Sequence, residues 1–371
     1  MSHYLDHAAT TPMRRCAVEA LATHAGLLNP GGQYASGREA RRVLEESREQ
    51  IAELLGADPI EVIFTASGTE GDNIAIQGLY AASPLRRVVS TPIEHSAVRE
   101  TISHLPGVES ELLPLDEGGH VSELSLLDEP AALATSMWAN NETGAIQPVA
   151  EIAARAAAAG TPVHIDAVQV VGKLPVDFHA LGATTLAASA HKFGGPRGVG
   201  VLLARRSPAP SAVLFGGGQE RGIRPGTSNV AGAAATAAAL AEASAEMEAE
   251  EARLRALRER LREGILARVS DVEVHTAEPA LPTHLHLSFP GAVGDSLIML
   301  LDAAGVEAST GSACSQGVNR ASHVLEAMGV SLESARGALR LTLGRTTTQA
   351  DIDAVLGVLP RVVERARAAG V

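Results

Sequence analysis

The chain has 371 residues, of which 46% are hydrophobic, 20% charged and 2% aromatic. These fractions suit an ordinary globular protein of about two domains, and they exclude wholesale disorder and collagen-like or coiled-coil architectures. The formal net charge of −13 argues against a general nucleic-acid binder, which needs a basic surface to neutralise phosphates.

Short apolar strands alternate with helices from about residue 38. The first helix is predicted over residues 38–55, with an apolar stripe that ends at Gly56. Strands are predicted at residues 61–65, 88–90, 133–137, 163–166, 185–188 and 199–203. Apolar strands separated by helices indicate a mostly parallel sheet that is covered on both faces.

The alternation weakens after residue 230. An alanine-rich run over residues 231–245 leads into a charged helix over residues 246–268, where Glu251 and Arg255 have the spacing of an i,i+4 pair. Strands at residues 285–288 and 339–342 follow among helices. We therefore expect a domain boundary near residue 250, in or beside the long helix.

Cysteine and lysine are both rare. The chain has two cysteines, Cys16 and Cys314, and only two of its 30 Lys and Arg residues are lysines, Lys173 and Lys192. Two cysteines exclude a disulfide framework and cannot alone form a structural zinc site, so we expect a reducing compartment. Because the chain shows neither a signal peptide nor an apolar run of ~18 residues, it is expected to be cytoplasmic and to make no membrane contact.

Three motifs follow predicted strands, where ligands gather in α/β proteins. At Ser67-Gly68-Thr69, backbone amides and a helix dipole favour a phosphate and Thr69 can cap the helix, although a plain helix cap explains the motif as well. Asp166 ends a strand, as many loop aspartates do. Because arginine cannot form an imine, Lys192 is a candidate imine former, and the alternative is a surface lysine.

Cys314 lies in a loop of small residues, 311–317. A thiolate on such a loop is able to reach a substrate, whereas most free cysteines are buried and structural. The structural alternative suits Cys16 better, because it lies in a helix-like stretch over residues 16–28. His95 follows another predicted strand. As one of 13 histidines it is a functional candidate only in combination with the other residues at strand ends.

Taken together, these motifs resemble the NifS/IscS-type cysteine desulfurases, which are pyridoxal-phosphate (PLP) enzymes of the class V aminotransferase group. The resemblance runs in order along almost the whole chain, and it is carried by residues 4–11, 94–95, 140–142, 166–169, 189–192, 216–221, 311–314 and 322–325. It implies the PLP-dependent transferase fold type I, an α/β fold. A large domain over residues 15–250 would hold a mostly parallel seven-stranded sheet, and residues 1–14 and 251–371 would form a smaller α+β domain.

The resemblance also implies a role for each candidate. Lys192 would carry PLP as an imine, Asp166 would pair with the pyridine nitrogen, and Gln169 would bind the phenolic oxygen. His95 would stack on the ring and move protons. The phosphate would be held by Gly68, Thr69, Ser189, His191 and, from the other subunit of a homodimer, Thr227. Asn141, which is also a candidate cofactor contact, and Arg340 would clamp the substrate carboxylate.

Cys314 would take the sulfur of L-cysteine as a persulfide and leave L-alanine. Residues 315–321 resemble a long, mobile loop, which favours delivery to several acceptors, among them an iron–sulfur scaffold protein. No metal site is expected. Two alternatives remain open, namely a related PLP enzyme such as a selenocysteine lyase or an aminotransferase, and a non-catalytic sulfur relay or scaffold.

Overall fold

The computed structural model describes residues 2–311 and 322–369. Its strands are β1 His3–Tyr4, β2 Val62–Thr65, β3 Arg87–Ser90, β4 Glu109–Leu112, β5 Leu133–Met137, β6 Val163–Asp166, β7 Thr185–Ser189, β8 Gly200–Ala204, β9 Glu273–Val274, β10 His284–Ser288, β11 Val306–Glu307 and β12 Ala338–Thr342. Its α-helices are α1 Arg15–His24, α2 Ala35–Leu55, α3 Gly68–Ala82, α4 Ser96–Ser103, α5 Val149–Ala158, α6 Phe178–Leu181, α7 Val230–Leu266, α8 Gly294–Ala303, α9 His323–Ala327, α10 Leu332–Arg336 and α11 Gln349–Ala369.

The largest sheet has seven strands in the order β2-β8-β7-β6-β5-β3-β4. Only β8 runs antiparallel to its neighbours, so the prediction of a mostly parallel sheet is confirmed. The pattern missed β4, an edge strand whose residues are largely exposed and therefore lack an apolar signal. Since the other six strands are parallel, their carboxyl ends meet at one edge of the sheet.

Two smaller sheets form a second layer of structure. One is antiparallel with the order β12-β10-β9, and the other pairs β1 in parallel with β11. Leu5, just after β1, is fully buried in a hydrophobic cluster with residues of β10, β12 and α11. The N-terminal segment is therefore anchored on this second core before it continues to α1.

Helix α7 connects the two cores. The sequence predicted an alanine-rich run followed by a separate helix, but the structure has one helix of 37 residues. Its first half contributes small side chains such as Ala235 to the core around the seven-stranded sheet, and its second half contributes Leu254 and Leu261 to the other core. The Glu251–Arg255 pair is present at 2.9 Å. The division of the chain into two domains stays a prediction.

In the described ranges, no helix combines the length and the apolar character needed to cross a membrane.

A buried ion pair fixes the loop that precedes α7. Glu220 and Arg221 adopt left-handed φ angles of 48° and 60°, which are costly for residues with a Cβ. Arg48 of α2 donates two hydrogen bonds to the Glu220 carboxylate, at 2.8 and 2.9 Å, and the backbone amide of Phe64 donates a third at 3.0 Å. These contacts tie the loop to α2 and β2 and offset the backbone strain.

We expect Glu220→Gln to lower the free energy of unfolding by about 3–5 kcal/mol, because it removes the buried anion that accepts two hydrogen bonds from Arg48 and leaves only the half-exposed Glu45 to pair with it. Chemical denaturation measures the change. Glu46→Gln is the matched control, because Glu46 forms an exposed pair with Arg42 on the same helix as Arg48. Equal effects of the two substitutions would contradict the role given to the buried pair.

Candidate active site

The carboxyl ends of five parallel strands bring the predicted site residues to one edge of the sheet. Asp166 ends β6 and Ser189 ends β7. Gly68, His95 and Asn141 lie in the segments that follow β2, β3 and β5. This convergence follows from strand direction, which the sequence pattern indicated correctly.

Lys192 ends a short 3₁₀ turn directly after β7. Its Nζ donates to the backbone carbonyl oxygens of Ala8 and Ala9, at 2.5 and 2.9 Å. Burial and then the nearby charge of Arg340 lower the pKa of Lys192 to about 8, although the Asp166 and Asp6 carboxylates act in the opposite direction. An amine with this pKa is partly unprotonated near neutral pH, as a nucleophilic lysine must be.

Asp166 is a buried carboxylate whose pKa is influenced by two titratable side chains. Its Oδ1 accepts a hydrogen bond from the backbone amide of Val168 at 2.9 Å. Burial raises the pKa of Asp166, while the charges of His95 and Lys192 and the amide of Val168 lower it.

His95 caps helix α4. The backbone amide of Ala97 donates to His95 Nδ1 at 3.1 Å, so the neutral ring carries its proton on Nε2. Burial lowers the pKa of His95, which favours this neutral form. The ring lines a cavity of about 670 Å³ that also borders Thr69 and Val213.

The start of α3 has the features of an anion site. Ser67, and not Thr69 as expected, caps the helix, because Ser67 Oγ accepts from the amide of Glu70 at 3.1 Å. A Cβ added to Gly68 would lie 2.5 Å from Val168 Cγ2, so the backbone packs closely here. The Oγ of Ser189 is buried and accepts or donates no hydrogen bond within the part of the chain that the structure describes. A buried hydroxyl without a partner at a helix N-terminus fits a phosphate oxygen.

Gln169, His191 and Thr227 complete the predicted cofactor contacts. Gln169 Nε2 donates to the carbonyl of Ala8 at 3.0 Å, and His191 Nδ1 lies 3.1 Å from Thr10 Oγ1. Thr227 is exposed and has no hydrogen bond to the other candidates in the described part of the chain. Gln169 and His191 thus contact residues 8–10 of the same chain, whereas Thr227 has no such contact among the described residues.

Arg340 reaches the site from the second layer, on strand β12. Its Nη1 donates to the carbonyl of Asn141 at 2.8 Å and its Nη2 to Asp6 Oδ1 at 2.5 Å. Its Nε is buried and has no hydrogen-bond partner among residues 2–311 and 322–369. Arg340 and Asn141 are thus in contact, and Asp6 is a neighbour that the sequence reasoning did not assign.

Cys314 and the loop residues 315–321 lie outside the described residues. The two described residues that flank this segment both approach Glu142. Ser322 Oγ donates to Glu142 Oε2 at 2.5 Å, and a Cβ added to Gly311 would lie 3.3 Å from the same oxygen. Since Glu142 follows Asn141 directly, the segment that carries Cys314 starts and ends next to the Asn141–Arg340 contact.

A buried pair behind Asp166 was missed by the sequence reasoning. His164, two residues before Asp166 on β6, places Nε2 3.1 Å from Asp72 Oδ1 and Nδ1 2.9 Å from Thr185 Oγ1. Burial lowers the pKa of His164 to about 3 and raises that of Asp72 well above its usual range. Burial thus disfavours the charged form of both side chains. Strand periodicity was its only signal, since His164 and Asp166 must share one face of the sheet.

A group of possible metal ligands lies at the opposite edge of the sheet, before β2. The ligand atoms of Asp58, Glu61 and His179 lie within 4.8 Å of one another. Glu61 already accepts hydrogen bonds from the amide of Asp58 and from His179 Nε2, at 2.9 and 2.7 Å. The hydrogen bonds among these three residues are thus sufficient to explain why their ligand atoms lie close together.

Comparisons with known proteins identify the family to which the chain is similar. The aminotransferase class-V family matches residues 3–355. An IscS-like cysteine desulfurase of Mycobacterium tuberculosis is 49% identical over 99% of this chain and 97% of its own length. The solved structure of a NifS-like protein superposes with a TM-score of 0.91 at 34% identity, over 98% of this chain and 100% of its own. The structure of SspA in complex with cysteine gives 0.80 at 28% identity, over 92% and 99%.

We expect Lys192 in the cofactor-free protein to acylate with a midpoint near pH 8 rather than near the ordinary 10.5. Asp166→Asn should lower this midpoint by roughly half to one unit, because it removes an anion that favours the ammonium form. Peptide mass spectrometry after labelling at several pH values measures the profile. Asp128→Asn, at an exposed ion pair, is the control and should leave it unchanged. A midpoint near 10.5 in the unsubstituted protein would refute the assignment.

Proposed function

The chain belongs to the class-V aminotransferase family and, within it, to the IscS/NifS-like cysteine desulfurases, and we propose that it removes sulfur from L-cysteine with PLP as its cofactor. Members of this family are PLP enzymes. The observation that carries the proposal is the meeting, at one sheet edge, of a lysine of lowered pKa, a buried carboxylate and a buried hydroxyl without a partner. These are the groups that PLP needs at its aldehyde, its pyridine nitrogen and its phosphate.

The donor set fits PLP in detail. The phosphate would be held by the N-terminus of α3 at Gly68 and Thr69, by Ser189 Oγ and by His191. Lys192 Nζ would bind the cofactor covalently, and Gln169 Nε2 retains a second proton for the ring oxygen after its bond to Ala8. When bound, PLP supplies a ring that accepts electrons and stabilises negative charge at the substrate Cα.

Asp166 and His95 prepare the site for this chemistry. The Asp166 carboxylate, whose pKa is influenced by His95 and Lys192, would keep a proton on the pyridine nitrogen of bound PLP. His95 is proposed to stack on the ring. Because Ala97 occupies its Nδ1, His95 is able to hold and deliver a proton only at Nε2.

Arg340 and Asn141 are proposed to bind the substrate carboxylate. The guanidinium is held by Asp6 and the Asn141 carbonyl, and its buried Nε has no partner in the described structure. A carboxylate that approaches Arg340 competes with Asp6 for Nη2 and satisfies Nε, which suits the bidentate geometry of this pair.

Cys314 is proposed as the sulfur acceptor. Cys314 follows Gly311 by three residues in the sequence, and Gly311 lies beside Glu142. In the net reaction the C–S bond of L-cysteine breaks, its Cβ gains a proton, and an S–S bond forms to Cys314 Sγ. Alanine and a Cys314 persulfide result. Cys16 does not suit this role, because burial and Glu242 raise the pKa of its thiol to about 11.

The persulfide is proposed to pass to an iron–sulfur scaffold or another acceptor protein in the cytoplasm, whose reducing conditions keep Cys314 free.

We also propose a homodimer in which Thr227 of one subunit completes the phosphate site of the other. Exposed Phe215 and cavity-lining Val213 precede Thr227 in the same loop, which supports a protein contact there. Sedimentation equilibrium should therefore give twice the mass of one chain, and a monomer mass at micromolar concentration would exclude this arrangement.

We expect Cys314→Ser to keep the visible absorbance of the lysine-bound cofactor and to lose persulfide formation at least 100-fold, because a hydroxyl cannot accept the sulfur. Alanine release from L-cysteine and protein-bound persulfide, measured together, test this. Cys16→Ser is the matched control and should retain both products. Lys192→Ala should lose the absorbance. Unchanged persulfide formation in Cys314→Ser would refute the assignment of the acceptor.

A further inference from the structure

Lys173 is the second of the two lysines, and the proposed reaction gives it no task. It lies four residues after Gln169, and its Nζ donates to Gln169 Oε1 at 3.0 Å. It is half-buried and lines a cavity of about 60 Å³ together with His7 and Lys192. Within residues 2–311 and 322–369, its Nζ forms no ion pair with a carboxylate, so its one hydrogen bond goes to a neutral amide.

The two hydrogen bonds of the Gln169 side chain determine which way its amide faces. The carbonyl of Ala8 is only an acceptor, so the NH₂ group must face it, and the Nε2–O distance is 3.0 Å. Lys173 donates, so Oε1 must face Nζ. Reversing the amide would place two acceptors opposite each other at Ala8. The pair of partners therefore selects one of the two amide orientations.

The same contacts connect the two lysines. The Ala8 carbonyl that accepts from Gln169 also accepts from Lys192 Nζ at 2.5 Å. The turn that carries Lys173 packs directly on the turn that carries Lys192. A Cβ added to Gly172 would lie only 2.5 Å from Phe193 Cβ, and the φ of Gly172 is 78°, so glycine is favoured there. A change at Lys173 thus reaches the cofactor site through Gln169 and Ala8.

The surroundings explain how a lysine without a counter-ion is tolerated. Burial, and then the charges of Lys192 and Arg340, lower the pKa of Lys173 to about 7. The cavity wall carries charges of both signs, Arg14, Glu250, Glu251 and Arg345. An uncharged amine still donates an N–H bond, so the contact with Gln169 survives deprotonation.

We propose that Lys173 is a positioning residue, which holds the Gln169 amide so that Nε2 keeps one proton for the ring oxygen of PLP. The inference rests on the proposed function, because it needs PLP as the ligand of this site. It deepens that proposal by assigning the second lysine to the cofactor through an intermediate side chain.

The test is a double-mutant cycle in PLP binding by the cofactor-free protein. Trp138 is the only tryptophan of the chain, and its backbone amide donates to the Asp166 carbonyl at 2.8 Å, so quenching of its fluorescence reports binding without turnover. Lys173→Met and Gln169→Leu should each weaken PLP binding roughly 3- to 10-fold. The double variant should bind within twofold of Gln169→Leu, because Lys173 acts through that amide.

Two controls separate positioning from a general loss of structure. Lys173→Arg keeps a donor and should bind PLP within about twofold of the unsubstituted protein. Met247→Leu alters the wall of the same cavity without touching the amide, and it should leave both the dissociation constant and the absorbance maximum of bound cofactor unchanged. Lys173→Met and Gln169→Leu should shift that maximum in the same direction. If Lys173→Met does not fold, Lys173→Leu, which also lacks a donor, enters the cycle in its place, with the same expectation.

Additive losses in the double variant, or an unchanged dissociation constant in Lys173→Met, would overturn the role of Lys173 while leaving the proposed function in place. Absence of saturable quenching and of cofactor absorbance in the unsubstituted protein would overturn both proposals.

Discussion

The burial of charge at the carboxyl edge of the seven-stranded sheet is the constraint on which the site depends. Asp72, Glu94 and Asp166 are all buried there, and burial raises the pKa of each of them. Asp166 is helped to ionise by His95 and Lys192, whereas Asp72 contacts a neutral histidine. The proposed pairing of Asp166 with a protonated pyridine nitrogen therefore depends on these neighbours, which oppose the effect of burial.

Burial at this edge of the sheet also lowers the pKa of the two lysines. Lys192 and Lys173 are both in an environment that disfavours a positive charge, with Arg340 contributing to both shifts. Arginine at either position would stay protonated and could not act as a nucleophile. The two lysines of this arginine-rich chain both lie in this region, and their protonation therefore changes near neutral pH.

Much of the site was predictable from the sequence because it depends on strand ends. Apolar runs located six of the seven strands of the main sheet, and the residues after them include Gly68, His95, Asp166 and Lys192. The contacts of Lys192 were not predictable, since Ala8 and Ala9 bind it through backbone carbonyls that carry no residue-type signal. The continuity of α7 was missed because its two halves pack in different cores and so lack a common apolar stripe.

The N-terminal segment shows how the two layers of the fold act on one site. Leu5 is buried in the core of the smaller sheets, and the next residue, Asp6, pairs with Arg340 from β12. Two residues later the Ala8 carbonyl accepts hydrogen bonds from Lys192 and Gln169 of the large sheet. A movement of the smaller sheets that shifted this segment would therefore disturb the contacts of Arg340 and of Lys192 together. The proposed binding of a substrate carboxylate to Arg340, in competition with Asp6, would thereby be linked physically to the hydrogen bonds of Lys192.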